Sequence, residues 1–413
     1  MVYNEHADDH MNKPRNAEKR YAMNDFRFYA PTEVVFGRNA EEKTGEYAAK
    51  YGARALIVYG RGSVVKSGLL ARVEASLKSA GVDFCEFGGA QPNPTLAHAE
   101  EGVKEALEFC ADIIIGVGGG SAIDTAKAIA HGAANPGTPL WDIWTRKAPL
   151  TRSLPVAAVL TIPAAGSEMS DSAVLTNEAL GKKAGINTDL NRCRFAVMDP
   201  ALGATLPKYQ LAAGITDIMM HTMERYFIPD SSAMLTDEIA EGLLRTVIEN
   251  GRKVIADPGD YNAMCEIFWA SSVSHNNLTE CGRAKDFSVH KLGHALSAKY
   301  GVTHGASLAA LWGSWAEEVR RDCLPRFSRF AEKVWGVSAA SGEESAAKEG
   351  IRRTVGYFSE IGMPVSLREL GIEPTEDDLR ELALNATAND TIKLCRIIPI
   401  GAAEAERIYR RAR

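Results

Sequence analysis

Residues 112–130 read DIIIGVGGGSAIDTAKAIA. The apolar run from Asp112 to Val117 has no polar face, which is the pattern of a strand buried on both sides in a parallel sheet. Gly118, Gly119 and Gly120 follow at once. They let the backbone take unusual angles and come close to a ligand. Ser121 then opens a helix whose first N–H groups have no intrahelical acceptor and favour an anion, typically a phosphate. A tight turn with nothing bound fits the same residues, although three glycines exceed what a turn needs. The stretch is neither the GxGxxG dinucleotide fingerprint nor a phosphate-binding P-loop, since no Gly-Lys-Ser/Thr follows.

Outward from this unit, short apolar runs alternate with helical patterns. Strands are expected at 55–59, 83–87, 112–117, 156–161 and 195–198, with helices between them, so residues 25–200 form a doubly wound α/β domain. After Asp199-Pro200 the strand signals stop. Helical periodicity is expected at 207–227, 232–256, 260–278, 287–300, 305–320, 324–335, 345–362, 375–388 and 401–412, making 201–413 an all-α domain. Residues 1–24 lack periodicity and are expected to be a flexible tail.

Composition narrows the function. With 46% hydrophobic and 24% charged residues, the 413-residue chain has the makeup of a globular protein. The net charge of −6, without a Lys/Arg stripe, argues against nucleic acid as a partner. No apolar run approaches the ~20 residues of a membrane-spanning helix. The polar start is not a secretory signal. Seven cysteines without a CxxC pair point to reduced thiols and a cytoplasmic setting.

Two further turns follow strands. Gly60-Arg61-Gly62-Ser63 comes after the 55–59 run. At a strand's C-terminal end it is placed to hold the adenosine end of a dinucleotide. Arg61 suits a 2′-phosphate and so NADP, and reads equally as a surface arginine. Thr161–Ser170, TIPAAGSEMS, offers hydroxyls at Thr161, Ser167 and Ser170 and reads equally as an ordinary loop. The helical half carries histidines in pairs. Asp217 and His221 are four apart, as are His290 and His294, and His304 follows the break at Gly301. Each pair shares a helix face, giving nitrogen and oxygen donors for a divalent metal. Spacing alone would choose both His290 and His294 as ligands. The segment is not HExxH, so it carries no built-in general base. His275 has no spacing partner and is expected to be structural.

In this order and spacing, GGGSAIDTAKAIA, TIPAAGSE, GITDIMMHTMER and HKLGHALSAKYGVTHG resemble the iron-activated (group III) alcohol dehydrogenase family. The resemblance runs from about Phe26 to the C-terminus and is strongest to the butanol dehydrogenase and NADPH-dependent aldehyde reductase branch. It implies a dinucleotide-binding α/β domain followed by a helical metal domain, as in dehydroquinate synthase. By position, it implies one divalent ion, Fe2+ or Zn2+, on Asp217, His221, His290 and His304, with His294 beside the substrate as a proton-relay residue. Gly118, Gly119, Gly120, Ser121 and Asp124 would hold the pyrophosphate and nicotinamide side. Gly60, Arg61, Gly62 and Ser63 would hold the adenosine end, and Thr161, Ser167 and Lys183 match cofactor contacts. Arg61 replaces a glycine frequent in this branch, and Ala165 stands where threonine is common. The aspartate of NAD-preferring members is absent, which leans the cofactor toward NADP, with NAD possible. The implied reaction is hydride transfer between NAD(P)H and an alcohol/aldehyde substrate in a homodimeric enzyme. The alternative is a metal-dependent lyase or cyclase of the dehydroquinate synthase type. It would need a basic cluster for a phosphorylated acid, and only Arg283 and Lys285 lie near the histidines in sequence.

Overall fold

The computed structural model describes residues 23–229, 233–338, 340 and 342–413. Most of the expected tail at 1–24 lies outside them. The first half is built on a six-stranded, all-parallel sheet of order β1-β8-β5-β4-β2-β3. Its strands are β1 (Glu33–Phe36), β2 (Arg54–Tyr59), β3 (Asp83–Phe87), β4 (Ile113–Gly118), β5 (Val156–Leu160) and β8 (Phe195–Met198). The central strands β4 and β5 are buried along their whole length, as their uninterrupted apolar runs require. Helices α1 (Thr44–Ala48), α2 (Ser63–Lys66), α3 (Leu69–Ser79), α4 (Leu96–Glu108), α5 (Gly120–Ala134) and α6 (Leu140–Trp144) accompany the sheet. The chain runs outward from β2 to β3, then crosses back to β4 and proceeds the other way. The switch point therefore lies between β2 and β4, and a crevice opens at their C-terminal ends. The Gly60–Ser63 and Gly118–Ser121 turns flank it.

Two features escaped the periodicity. Strand β1 is a four-residue edge strand, too short to give a pattern. The antiparallel hairpin β6 (Ser172–Asn177) and β7 (Lys182–Asn187) pairs Thr176 with Lys183. β6 is short and β7 is polar and contains a glycine, so neither stood out in the sequence, yet β6 packs on α4 and α5 and β7 touches the helix Ser288–Tyr300.

The second half is helical: α7 (Lys208–Tyr226), α8 (Met234–Ala256), α9 (Tyr261–His275), α10 (Ser288–Tyr300), α11 (His304–Val319), α12 (Leu324–Trp335), α13 (Glu343–Glu360), α14 (Glu376–Ala386) and α15 (Ala402–Arg411). α9 stops at His275, short of the expected 278, because Asn277 takes a left-handed conformation (φ 76°). Gly301 caps α10 in the same conformation (φ 67°) and turns the chain into α11. There Gly305 faces α7 so closely that a β-carbon would stand 2.1 Å from the Ala213 carbonyl oxygen. That approach sets His304 beside Asp217, one turn along α7 from Ala213.

Candidate active site

α7 is buried from Leu211 to Tyr226, so Asp217, His221 and Glu224 project from one face into the interior. Asp217, His221 and His290 are 4%, 5% and 5% exposed. The Asp217 Oδ1 lies 3.4 Å from His221 Nε2, 3.4 Å from His290 Nε2 and 3.6 Å from His304 Nε2. Donor atoms of Asp217, His290 and His304 all fall within 4.8 Å of one another. His221 joins through Asp217, its ring 4.5 Å from that of His290.

Several of these atoms have no hydrogen-bond partner although they are buried: Asp217 Oδ1, His290 Nε2, His221 Nδ1 and His304 Nδ1. Unpaired polar atoms in a protein interior are costly and call for an explanation. The protonation states supply one. Burial pushes His304 down to about 3 and His221 well below its ordinary value. Burial also works against charge on His290, but Glu224 and Asp217 outweigh it and hold the ring up at about 9. Two neutral imidazoles, a third whose proton an ion can displace, and a carboxylate form a donor set fit for one divalent cation.

Glu224 completes the set and was not singled out from the sequence. Its carboxylate accepts a hydrogen bond from His290 Nδ1 and another from the His290 backbone N–H at 3.0 Å. This fixes the tautomer and turns Nε2 toward Asp217, the usual service of a carboxylate behind a metal-binding histidine. The signal was present: Asp217, His221 and Glu224 repeat at four and three residues.

His294 stands apart from the trio. Its ring is 5.2 Å from His304 and 6.1 Å from His290. It is half-buried, makes no hydrogen bond among the described residues, and is held neutral by burial and by nearby Lys183. His304 is also half-buried, so the donor cluster is open on the His294–His304 side.

In the first half, Gly119 and Gly120 sit under the Thr161–Ser170 loop, where β-carbons would come within 3.0 Å of Ile162 and 3.3 Å of Ala165. Thr161 N–H donates to the Gly118 carbonyl at 3.0 Å. Lys183 donates to Asn93 Oδ1 at 2.9 Å; burial lowers its pKa, while Asp124 and Asp217 raise it. Its charge is thus felt by both Asp124 and Asp217. Asp124 and Ser167, expected against the cofactor, also face each other. Asp124 accepts from Ser167 Oγ and the Val174 N–H, and the buried Lys127 ammonium donates to Ser167 O, Ser167 Oγ and Ser172 O. A side chain with both carboxylate oxygens so engaged braces the loop and hairpin. Arg61 is exposed and donates to Gln91 Oε1 at 2.7 Å. Ser63 is exposed in the same turn.

A model of the family "Iron-containing alcohol dehydrogenase" matches residues 31–200, and one of "Fe-containing alcohol dehydrogenase family, C-terminal" matches 211–413. The chain belongs to the iron-containing alcohol dehydrogenases. It is similar to NADH-dependent butanol dehydrogenase A of Clostridium acetobutylicum, with 38% identity over 94% of this chain and 100% of that protein. It is 35% identical to the NADPH-dependent aldehyde reductase YqhD of Escherichia coli, over 85% of this chain and 90% of that one. The crystal structure of NADH-dependent butanol dehydrogenase A from Thermotoga maritima superposes with a TM-score of 0.90 at 34% identity, covering 95% of this chain and 99% of that one. Membership brings a nicotinamide dinucleotide and a divalent metal. It also removes the lyase reading. Arg283 and Lys285, the basic residues that reading would use, are tied to Asp237 at 2.6 Å and Glu280 at 3.0 Å. Among the described residues no helix is long and apolar enough to cross a membrane.

Proposed function

We propose that this dehydrogenase is an NADPH-dependent aldehyde reductase that interconverts primary alcohols and aldehydes at a single divalent metal. The observation that carries the reading is the convergence of the Nε2 atoms of His221, His290 and His304 on Asp217 Oδ1, with Asp217 Oδ1 and His290 Nε2 buried and without a hydrogen-bond partner among the described residues. An ion held by these four is a Lewis acid toward a substrate oxygen. The residues around it do the rest. Glu224 keeps His290 in the ligating tautomer. Gly118–Ser121, Thr161 and Lys183 take the pyrophosphate and nicotinamide side, while Asp124 and Ser167 brace the loop that carries it. Gly60–Ser63 take the adenosine end. His294, neutral and on the open side, receives the hydroxyl proton at a ring nitrogen during alcohol oxidation and passes it to water. Fe2+ and Zn2+ both suit this donor set, and the family points to Fe2+. Arg61 favours NADPH, because an exposed guanidinium held, among the described residues, only by a neutral amide is available to a 2′-phosphate. We further assign the enzyme to the cytoplasm as a homodimer; no disulfide joins the cysteines among the described residues, which suits a reducing compartment.

The test is to load the purified protein with Fe2+ or Zn2+ without oxygen and follow consumption of NADPH with butanal and longer aldehydes. No turnover with either metal across the series would overturn the reading. His294→Ala should retain its metal and lose turnover; metal loss equal to that of His290→Ala would mean that His294 is itself a ligand. Measuring s20,w by sedimentation velocity decides the dimer.

A further inference from the structure

We propose that His275 is a positioning residue that ties the orientation of the metal-binding His221 to the loop beneath the cofactor. This rests on the metal and cofactor assignments above. His275 ends α9, and its ring stacks on that of His221 with centroids 3.9 Å apart and planes 28° apart. Its Nδ1 lies 2.7 Å from the Ala165 carbonyl oxygen in the Thr161–Ser170 loop. A carbonyl only accepts, so that nitrogen carries the proton and the ring is fixed.

The need for such a residue follows from a difference between two donors. His290 is oriented by the Glu224 carboxylate. His221 has no such partner: its Nδ1 is buried and unpaired. What fixes its plane is packing, with His275 on its face and Phe287 edge-on at 6.0 Å. Stacking by His275 therefore does for His221 what hydrogen bonding does for His290.

The other end of the link is equally close. Gly166 lies so near α9 that a β-carbon would stand 2.5 Å from Ser271 O and 2.9 Å from His275 Cβ. Two residues on, Glu168 accepts from Ser272 Oγ at 2.5 Å. The last turn of α9 thus grips the loop at Ala165, Gly166 and Glu168. Movement of that loop is transmitted to the plane of a metal ligand through one imidazole.

The two halves of the role separate by substitution. His275→Asn keeps an N–H where Nδ1 stood, and so the Ala165 contact, but removes the stack. His275→Phe keeps the stack and removes the contact. Zn2+ affinity is measured by competition with a chelator, and NADPH affinity by nicotinamide fluorescence on the metal-free protein; urea midpoints report folding of each variant. His275→Asn should weaken Zn2+ by about tenfold or more, the scale of an outer partner of a ligand, with NADPH affinity unchanged. His275→Phe should hold Zn2+ within about threefold of wild type and weaken NADPH. Wild-type Zn2+ affinity in His275→Asn, or parallel losses of both ligands in both variants, overturns the proposal and leaves the functional reading standing. Failure of the wild-type protein to bind Zn2+ or NADPH would sink both.

Discussion

Two buried polar clusters lie on either side of the Thr161–Ser170 loop, and they are built in opposite ways. Around Lys127, every strong group is used. The ammonium has three acceptors, and Asp124 takes a hydroxyl and a backbone N–H. Around Asp217, three imidazole Nε2 atoms face one carboxylate oxygen at 3.4–3.6 Å, and among the described residues Asp217 Oδ1 and His290 Nε2 have no hydrogen-bond partner. A buried cluster that satisfies itself holds the fold, whereas one that leaves its donors unpaired holds something else. The difference separates Asp124 from Asp217.

The comparison breaks first at Asp217. Asp217→Asn should cost metal affinity more than the 10–100-fold typical of an outer-shell loss, and activity with it. Metal analysis and NADPH turnover on one sample check this; full metal occupancy in the variant would erase the distinction between the clusters. Next is Lys127→Met, which strands the Asp124 carboxylate in the interior. Breaking one side of a buried pair costs about 3–5 kcal/mol, so urea denaturation should show a large loss of stability while folded molecules still take up metal. A smaller effect is expected from Glu224→Gln. Losing the carboxylate that orients His290 should weaken Zn2+ by roughly 10–100-fold without abolishing binding. Chelation should lower the melting temperature of the wild-type protein, because an ion at a hundred times its Kd contributes about 2.7 kcal/mol of stability that is lost on its removal. The same treatment should leave Asp217→Asn unmoved. The smallest change is expected at exposed Arg61. Arg61→Ala should raise the NADPH KM several-fold, more than the NADH KM, in low salt, since an exposed charge contact is worth about 1 kcal/mol or less. Equal shifts would show that Arg61 does not read the 2′-phosphate.

Elements whose physics is local were legible along the chain. The β4 run at 113–118 announced a strand buried on both faces. The helical periods after Pro200 were legible because each amphipathic helix carries its own record of which face is buried. The spacing of Asp217 and His221 placed both on one face of α7. The edge strand β1 and the β6–β7 hairpin were not legible, because a short or polar strand is specified by its partners rather than by its own pattern. Only the tertiary structure decided which donors meet. His290 and His294 share a helix face, yet it is His304, brought in across Gly301 by the contact of Gly305 with α7, that joins His290 and Asp217. It also placed Glu224 behind His290 and His275 on the face of His221, and turned Asp124 and Ser167 toward each other. The physical reason is the same in each case. Helical spacing fixes which way a side chain leaves its own helix, but a metal site or a stacked ring is a meeting of several elements. Which atoms meet is set by how closely their backbones pack.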